Sequence, residues 1–321
     1  MRTILSYILF IIIQIIFLPL AIIGAIVIYY KQIFVSKRLG VSSTAIEIIN
    51  GRWTMDKFCL RDDATTVKLF NVLPNTSALS HWLVLLPLYL LKLIAGKNLI
   101  YPVFKESEEA GLYNLVISRT IFFDRFIKKS LKQSEQFVVL GAGFDTRCYG
   151  VFNNGKVECF EVDKEQTQKL KKDFLIEANI EISNVHFVTV DFSDENWFKK
   201  LYVSGYDKNK STTFLWEGVT LYLPENVIKN TLKEIRNNAA PGSVVFTDFY
   251  SNHFVHGNML PGKKHLEVTN EKLRFGIEFE NNGSKELTSL IESEKLKLGE
   301  VYYMGNKTKY GTWMAVAEIK V

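Results

Sequence analysis

One strand end constrains this chain more than any other stretch. Residues Phe137-Val-Val-Leu140 are apolar without interruption, and they stop at Gly141-Ala-Gly-Phe-Asp-Thr-Arg147. An unbroken apolar run of this length reads as a parallel strand buried on both faces. The G-x-G spacing at its carboxyl end marks a tight turn that brings backbone close to a ligand, where a Cβ would obstruct. The chain is therefore built around a ligand at the end of a strand.

Strands and helices alternate after this point. Strand patterns cover 137–140, 157–162, 185–190, 212–215 and 243–249, with helical patterns at 164–178, 196–203 and 224–238 between them. The last of these helices opens on Pro224 and Glu225, and Ala240-Pro-Gly242 ends it. A helix at 286–294 and two strand-like runs, 298–304 and 312–321, close the sequence. Such alternation predicts an α/β fold, a doubly wound and mostly parallel sheet with an antiparallel C-terminal hairpin at one edge. Residues 42–80 read as irregular helix with polar breaks, and 106–132 as an amphipathic helix.

Ligands of such sheets lie beyond the carboxyl ends of the strands. Gly141 and Gly143 follow the first strand, Asp163 the second, Asp191 and Phe192 the third, and Trp216, Glu217 and Gly218 the fourth. Carboxylates there are costly to bury unless a donor-rich ligand meets them. A dinucleotide calls for G-x-G-x-x-G, and Thr146 stands where the third glycine belongs. Acids at the strand ends also oppose phosphates. S-adenosylmethionine carries hydroxyl, ammonium and sulfonium groups and no phosphate, so the acidic rim favours it as cofactor. A nicotinamide-dependent dehydrogenase remains the alternative on the glycines alone.

The ordered motifs resemble the leucine carboxyl methyltransferase superfamily, which includes polyketide O-methyltransferases and many bacterial members. The matching stretches are Ser118-Arg-Thr-Ile-Phe-Phe-Asp124, Val138–Arg147, Phe160-Glu-Val-Asp163, Val190-Asp-Phe192, Trp216–Pro224 and Ala240-Pro-Gly-Ser243. The resemblance implies a class I methyltransferase-like sheet and S-adenosylmethionine as cofactor. It also implies that Arg119 pairs with the methionine carboxylate, that the Gly141–Gly143 turn approaches the methionine moiety, and that Asp163 takes the ribose hydroxyls. Asp191 and Phe192 would flank adenine, and Glu217 would lie near the methionine end or the substrate entrance. Asp145 and Thr146 are as readily helix caps as ligand contacts, and Phe192 and Tyr222 suit packing equally well. Trp216 replaces a residue that is commonly small in the family, which would narrow the pocket.

The implied organisation is a transmembrane anchor with a basic flank at 1–38, a helical N-terminal cap region at 39–132 and the cofactor-binding α/β domain at 133–321. No charged residue occurs between Thr3 and Tyr30. Twenty-eight helical residues extend about 42 Å, more than the roughly 30 Å of bilayer hydrocarbon. A cleaved signal would have an apolar core of only about 7–15 residues, so an uncleaved single-pass anchor is expected. Lys31, Lys37 and Arg38 beyond it place the catalytic domain on the cytoplasmic side. A second apolar stretch, Trp82–Ala95, contains Pro87 and Lys92 and reads either as a buried helix or as one lying in the membrane interface.

Other classes are less well supported. A net charge of +5 without an arginine-rich block argues against nucleic acid. Three cysteines without metal-ligand spacing read as free thiols, and no metal constellation is evident, Asp191 and Asp194 being too few for a divalent site. The expected function is O-methylation of a carboxylate or hydroxyl on a small or amphipathic, even lipid-like, acceptor. A hydroxyl acceptor would need a base, for which His253 and His256 after the fifth strand are weak candidates. A membrane-bound sensor that holds the cofactor without turnover is the other alternative.

Overall fold

A computed structural model describes residues 2–150, 152, 155–194, 196–257, 264–280 and 283–321. The chain opens with helix α1 (Arg2–Tyr30), a π-helical turn at Lys31–Val35 and the short α2 (Ser36–Leu39). Helices α3 (Ser43–Lys57), α4 (Ala64–Val72), α5 (Ala78–Ala95) and α6 (Leu115–Ser130) follow. The polar breaks in 42–80 prove to be caps. Ser42 accepts from the Ala45 N–H, Asp63 from Thr66 and Ser77 from Ser80, so each break begins a helix.

From there the alternation is as expected: β1 (Gln136–Leu140), β2 (Glu158–Asp163), α7 (Glu165–Glu177), β3 (Val185–Thr189), α8 (Trp197–Val203), β4 (Thr212–Trp216), α9 (Glu225–Asn238) and β5 (Val244–Tyr250). Short helices α10 (Asn252–Val255) and α11 (Lys264–Val268), then α12 (Lys285–Ser293), β6 (Lys297–Met304) and β7 (Met314–Lys320), complete the chain. The sheet order is β3-β2-β1-β4-β5-β7-β6. Strands β1 to β5 run parallel, while β7 is antiparallel to both β5 and β6. The closing hairpin therefore docks through its second strand and leaves β6 at the edge.

Period-two alternation sends Val138, Leu140, Phe160, Phe214 and Trp216 to one face of the sheet, against α8, α9 and α12. Phe137, Val139, Cys159 and Leu215 meet Phe122, Phe123 and Phe126 of α6 on the other. A third apolar cluster joins α3, α4 and α5 through Ile49, Trp53, Phe58, Leu69, Phe70 and Leu85. The 82–95 stretch thus belongs to a helix that starts four residues earlier than the apolar run and packs into this third core. Helix α1 lies along α5, with most of its apolar side chains exposed. Strand order reverses between β1 and β4, which opens a crevice beyond their carboxyl ends.

Candidate functional site

The turn after β1 is built from both neighbouring strands. Gly141 and Ala142 donate their N–H groups to the Val162 carbonyl at 2.7 and 3.1 Å, locking the turn to β2. Gly141 has φ +66°, and a Cβ there would come within 2.5 Å of Val219 in the loop after β4. The first glycine is therefore required by the protein's own packing as well as by its backbone conformation. Gly143 N–H donates to Asp163 Oδ2 at 2.6 Å and Lys164 N–H to Oδ1 at 2.7 Å. The Asp163 carboxylate at the tip of β2 is thereby fixed toward the crevice. Burial raises its pKa, partly offset by these two N–H donors.

A cavity of about 1150 Å³ occupies the crevice. Its strand-end wall carries Gly141, Gly143, Asp163, Asp191, Phe192 and Glu217, and Arg119 of α6 joins them. All seven cofactor residues anticipated from the sequence line this one cavity. The remaining lining comes from α3, the start of α6, α11 and the later loops, where apolar Ile48, Leu115, Leu266 and Leu273 alternate with polar residues such as Glu47, Glu271 and Lys272.

Behind the strand-end wall lies a buried ion network. Glu217 Oε2 accepts from Arg147 Nη1 at 2.6 Å and Arg52 Nη2 at 3.1 Å. Asp145 Oδ2 accepts from the same two arginines, at 2.5 and 2.9 Å respectively. Arg147 Nε reaches Asp124 at 2.8 Å. Asp145 also receives the Arg147 N–H at 2.8 Å, so it combines a local turn with the network. Burial opposes ionisation of Glu217, yet Arg147, Arg52 and Arg119 outweigh it and hold the carboxyl down at about 2. Asp145 is likewise held far below the usual range by Arg147 and Arg52 against the effect of burial.

Arg119 Nη1 donates to Tyr250 and to Asp248 Oδ2 at 3.3 Å, while its Nε lies 3.1 Å from Glu217 Oε1. Burial disfavours its charge, but Tyr250, Glu217 and Asp248 raise its pKa above the ordinary value. Asp248 on β5 accepts the Gly218 N–H and is pushed up to about 6, chiefly by burial. Glu217 Oε1 faces Arg119 without a hydrogen bond of its own, leaving a buried acceptor in the cavity wall.

Asp191 is exposed at the cavity rim, where Ser193 N–H and hydroxyl donors lower its pKa. Phe192 both lines the cavity and packs edge-on against Trp197, with ring centroids 5.5 Å apart. Trp216 does not narrow the pocket. Strand alternation turns it into the core beneath the sheet, where it is fully buried near Phe192. Thr146 is taken up by hydrogen bonds to Thr66 and Asp63.

His253 and His256 are exposed on and just beyond α10, and the cavity wall there is Phe254. No histidine is among the described lining residues. Cys148 is buried, and burial pushes its thiol well up, away from nucleophilic use. Among the described residues, no group of three or more His, Cys, Asp or Glu is placed to hold a metal.

Sequence reasoning missed Arg52, Asp248, Tyr250 and Glu271. Asp248 carried a signal, as a carboxylate inside an otherwise buried strand. Arg52 carried none, because its partners lie 93 and 165 residues away. Glu271 also lines the cavity. It accepts from Ser42 Oγ and Ser43 Oγ at 2.6 Å each, Ser43 N–H at 2.9 Å, Thr44 Oγ1 at 2.7 Å and Thr269 Oγ1 at 2.5 Å. Burial raises its pKa less than these donors lower it, so the carboxylate stays charged and ties the 269–274 loop to the start of α3.

Residues 94–236 match the family model described as leucine carboxyl methyltransferase, which bears out the resemblance carried by the strand-end motifs. A Mycobacteroides abscessus protein provisionally named as an S-adenosyl-L-methionine-dependent methyltransferase is 30% identical over 158 residues, which is 48% of this chain and 52% of that protein. A Bacillus subtilis protein with the same provisional name is 34% identical over 118 residues, 36% of this chain and 38% of that one. The chain thus spans about half the length, or less, of these curated relatives. A solved structure of a provisionally assigned methyltransferase from Thermobifida fusca is 15% identical with a TM-score of 0.48, covering 79% of this chain and 91% of that one.

Proposed function

We propose that this chain, a relative of the leucine carboxyl methyltransferases, is an S-adenosylmethionine-dependent O-methyltransferase. Its acceptor would be a carboxylate or hydroxyl on a small or amphipathic molecule, and α1 would hold it at the cytoplasmic face of a membrane. The observation that carries the reading is the convergence of Arg119, Gly141, Gly143, Asp163, Asp191, Phe192 and Glu217 on one cavity.

The donor set suits this cofactor. Each Asp163 oxygen accepts one backbone N–H, leaving lone pairs for a ribose diol. Glu217 Oε1 is a buried acceptor without a hydrogen-bond partner, suited to an ammonium group, and Arg119 beside it is suited to a carboxylate. Phe192 offers an apolar surface for a base, and exposed Asp191 an acceptor at the rim. When bound, the cofactor supplies a methyl group on a positively charged sulfur for in-line transfer to oxygen.

The residues of the chain position and screen rather than react. Arg52 and Arg147 hold Glu217 ionised and immobile, so the cavity presents a pre-set negative wall to a cationic ligand. Fixing both reactants in a near-attack arrangement contributes on the order of 7–11 kcal/mol in favourable systems. Of the two acceptor types, a carboxylate asks less of the lining, because it needs no general base. It is already ionised at neutral pH, whereas Glu217 at about 2 and the low-lying Glu271 are weak bases for a hydroxyl.

A screen with methyl-labelled S-adenosylmethionine on membrane and cytosolic extracts tests this. The expected product is a labelled small molecule that releases its label in mild base, as an ester does. Tight cofactor binding with no transfer to any fraction would instead favour a sensor.

A further inference from the structure

The packing of α1 against α5 bears on how this protein meets a membrane. Gly24 is the point of closest approach. A Cβ on it would lie 2.6 Å from the Ser80 carbonyl oxygen, 3.0 Å from Leu83 Cβ and 3.1 Å from Val84 Cγ2. Lys31 Nζ at the end of α1 donates to the Pro74 and Thr76 carbonyls just before α5, at 3.0 and 2.7 Å. The two helices are therefore antiparallel and lie side by side along the length of α5.

Helix α5 is in turn bound to the catalytic body along its length. At its start, His81 and Trp82 meet Trp53 of α3, with ring centroids 5.4 and 5.6 Å apart. Toward its end, Tyr89 packs edge-on against Phe58 at 5.6 Å, and Asn98 Nδ2 donates to the Phe58 carbonyl at 3.2 Å. Leu85, Pro87 and Leu91 between them are buried. If α1 stood across a bilayer, α5 and the α3 segment fastened to it would be carried to the same depth. That segment includes Asp56 and Lys57, which are joined to each other at 3.1 Å and are both partly exposed to solvent. Even as a pair they would lose their hydration in hydrocarbon, a cost that their mutual attraction does not repay.

We infer that α1 and α5 form a platform that lies in one leaflet, parallel to the membrane surface, rather than a transmembrane span. The occupant of its open face is the acyl region of a lipid bilayer. An in-plane helix ordinarily needs a polar face toward water. Helix α1 lacks one because α5 covers that side, along a stripe that includes Phe10, Ile13, Phe17, Ala21 and Gly24. The remaining surface exposes Ile8, Ile12, Ile15, Ile16, Ile22 and Ile26, too large an apolar area to stay in water. Exposed Lys37 and Arg38, with Tyr29 and Tyr30, flank its end as headgroup contacts. This replaces the single-pass topology expected from segment length. It also sets α11, whose Leu266 lines the cavity, against Lys31–Val35 at the platform's end, so an amphipathic acceptor would reach the cavity along the leaflet.

The inference rests on the anchoring part of the proposed function and not on its chemistry. The test uses the full chain with exposed Cys59→Ser and single nitroxide-labelled cysteines at Ile8, Ile16 and Ile26, in vesicles of phosphatidylcholine and phosphatidylglycerol. Electron paramagnetic resonance then gives the depth of each label. The platform predicts similar depths, about 5–10 Å below the headgroups, at all three sites. A span separates the first and last by about 27 Å along the helix and puts Ile16 deepest, which would overturn the inference. Failure to partition into vesicles would overturn it as well, together with anchoring. S-adenosylmethionine binding measured on the same sample shows whether the methyltransferase reading stands apart from either outcome.

Discussion

On the strand-end side of the cavity, every acid is held by an arginine or a backbone N–H, and the arginines that hold Glu217 and Asp145 are themselves buried. On the helical side, α3 and the 266–274 segment face the same space with Ile48, Leu266 and Leu273 among polar neighbours, and Glu271 ties that segment to the start of α3. The first wall is held by several buried ion pairs, whereas the 269–271 segment of the second is held to the start of α3 mainly by donors that converge on Glu271. The strand-end wall therefore carries specific polar groups for a ligand, and the opposite wall sets mainly size and polarity.

The strand-end wall should break hardest. Arg147→Met leaves Asp145, Glu217 and Asp124 each short of a buried partner, and removal of one member of a buried ion pair costs about 3–5 kcal/mol. Chemical denaturation should show a loss of that size. Asp163→Asn removes a charged acceptor and leaves one of the Gly143 and Lys164 N–H donors without its oxygen, and hydrogen bonds to charged groups are worth about 1.5–3 kcal/mol. Calorimetry should then show cofactor affinity weakened by about tenfold to a hundredfold.

On the other wall, Glu271→Ala leaves Ser42, Ser43 and Thr44 without their shared acceptor, for a loss of roughly 1–2 kcal/mol. Its signature is faster hydrogen exchange in 266–274 with cofactor affinity nearly unchanged. If that substitution instead weakened cofactor binding as much as Asp163→Asn, the separation of the two walls would fail.

A smaller effect comes from Glu161, buried on β2 with Lys171 Nζ 2.7 Å away. Burial pushes its carboxyl up to about 7 from an ordinary 4.5, despite Lys171. The folded pKa lies above the unfolded one, so this contribution to stability is full below about pH 4.5 and is lost as pH rises through about 7. Thermal melts across that window should decline for the natural chain and flatten for Glu161→Gln.

Much of the strand-end wall was legible because a buried parallel strand leaves an unbroken apolar run, and whatever polar residue follows it must serve the crevice. Gly141, Asp163, Asp191 and Glu217 each stand at such an end. The partners that fix them were not legible. Arg52 reaches Glu217 from 165 residues away, and no local pattern records that distance. Trp216 was misdirected for a related reason, since its face of the sheet follows from register and not from its position next to Glu217. Segment length gave α1 as a long apolar helix, while its packing against α5 left no local pattern.

Calorimetric titration of the full chain with S-adenosylmethionine and, separately, with a nicotinamide dinucleotide is the most direct test of the central claim. The account predicts heat and one-to-one binding with S-adenosylmethionine, weakened in Asp163→Asn, and none with the dinucleotide. Binding of the dinucleotide with no heat from S-adenosylmethionine would contradict it.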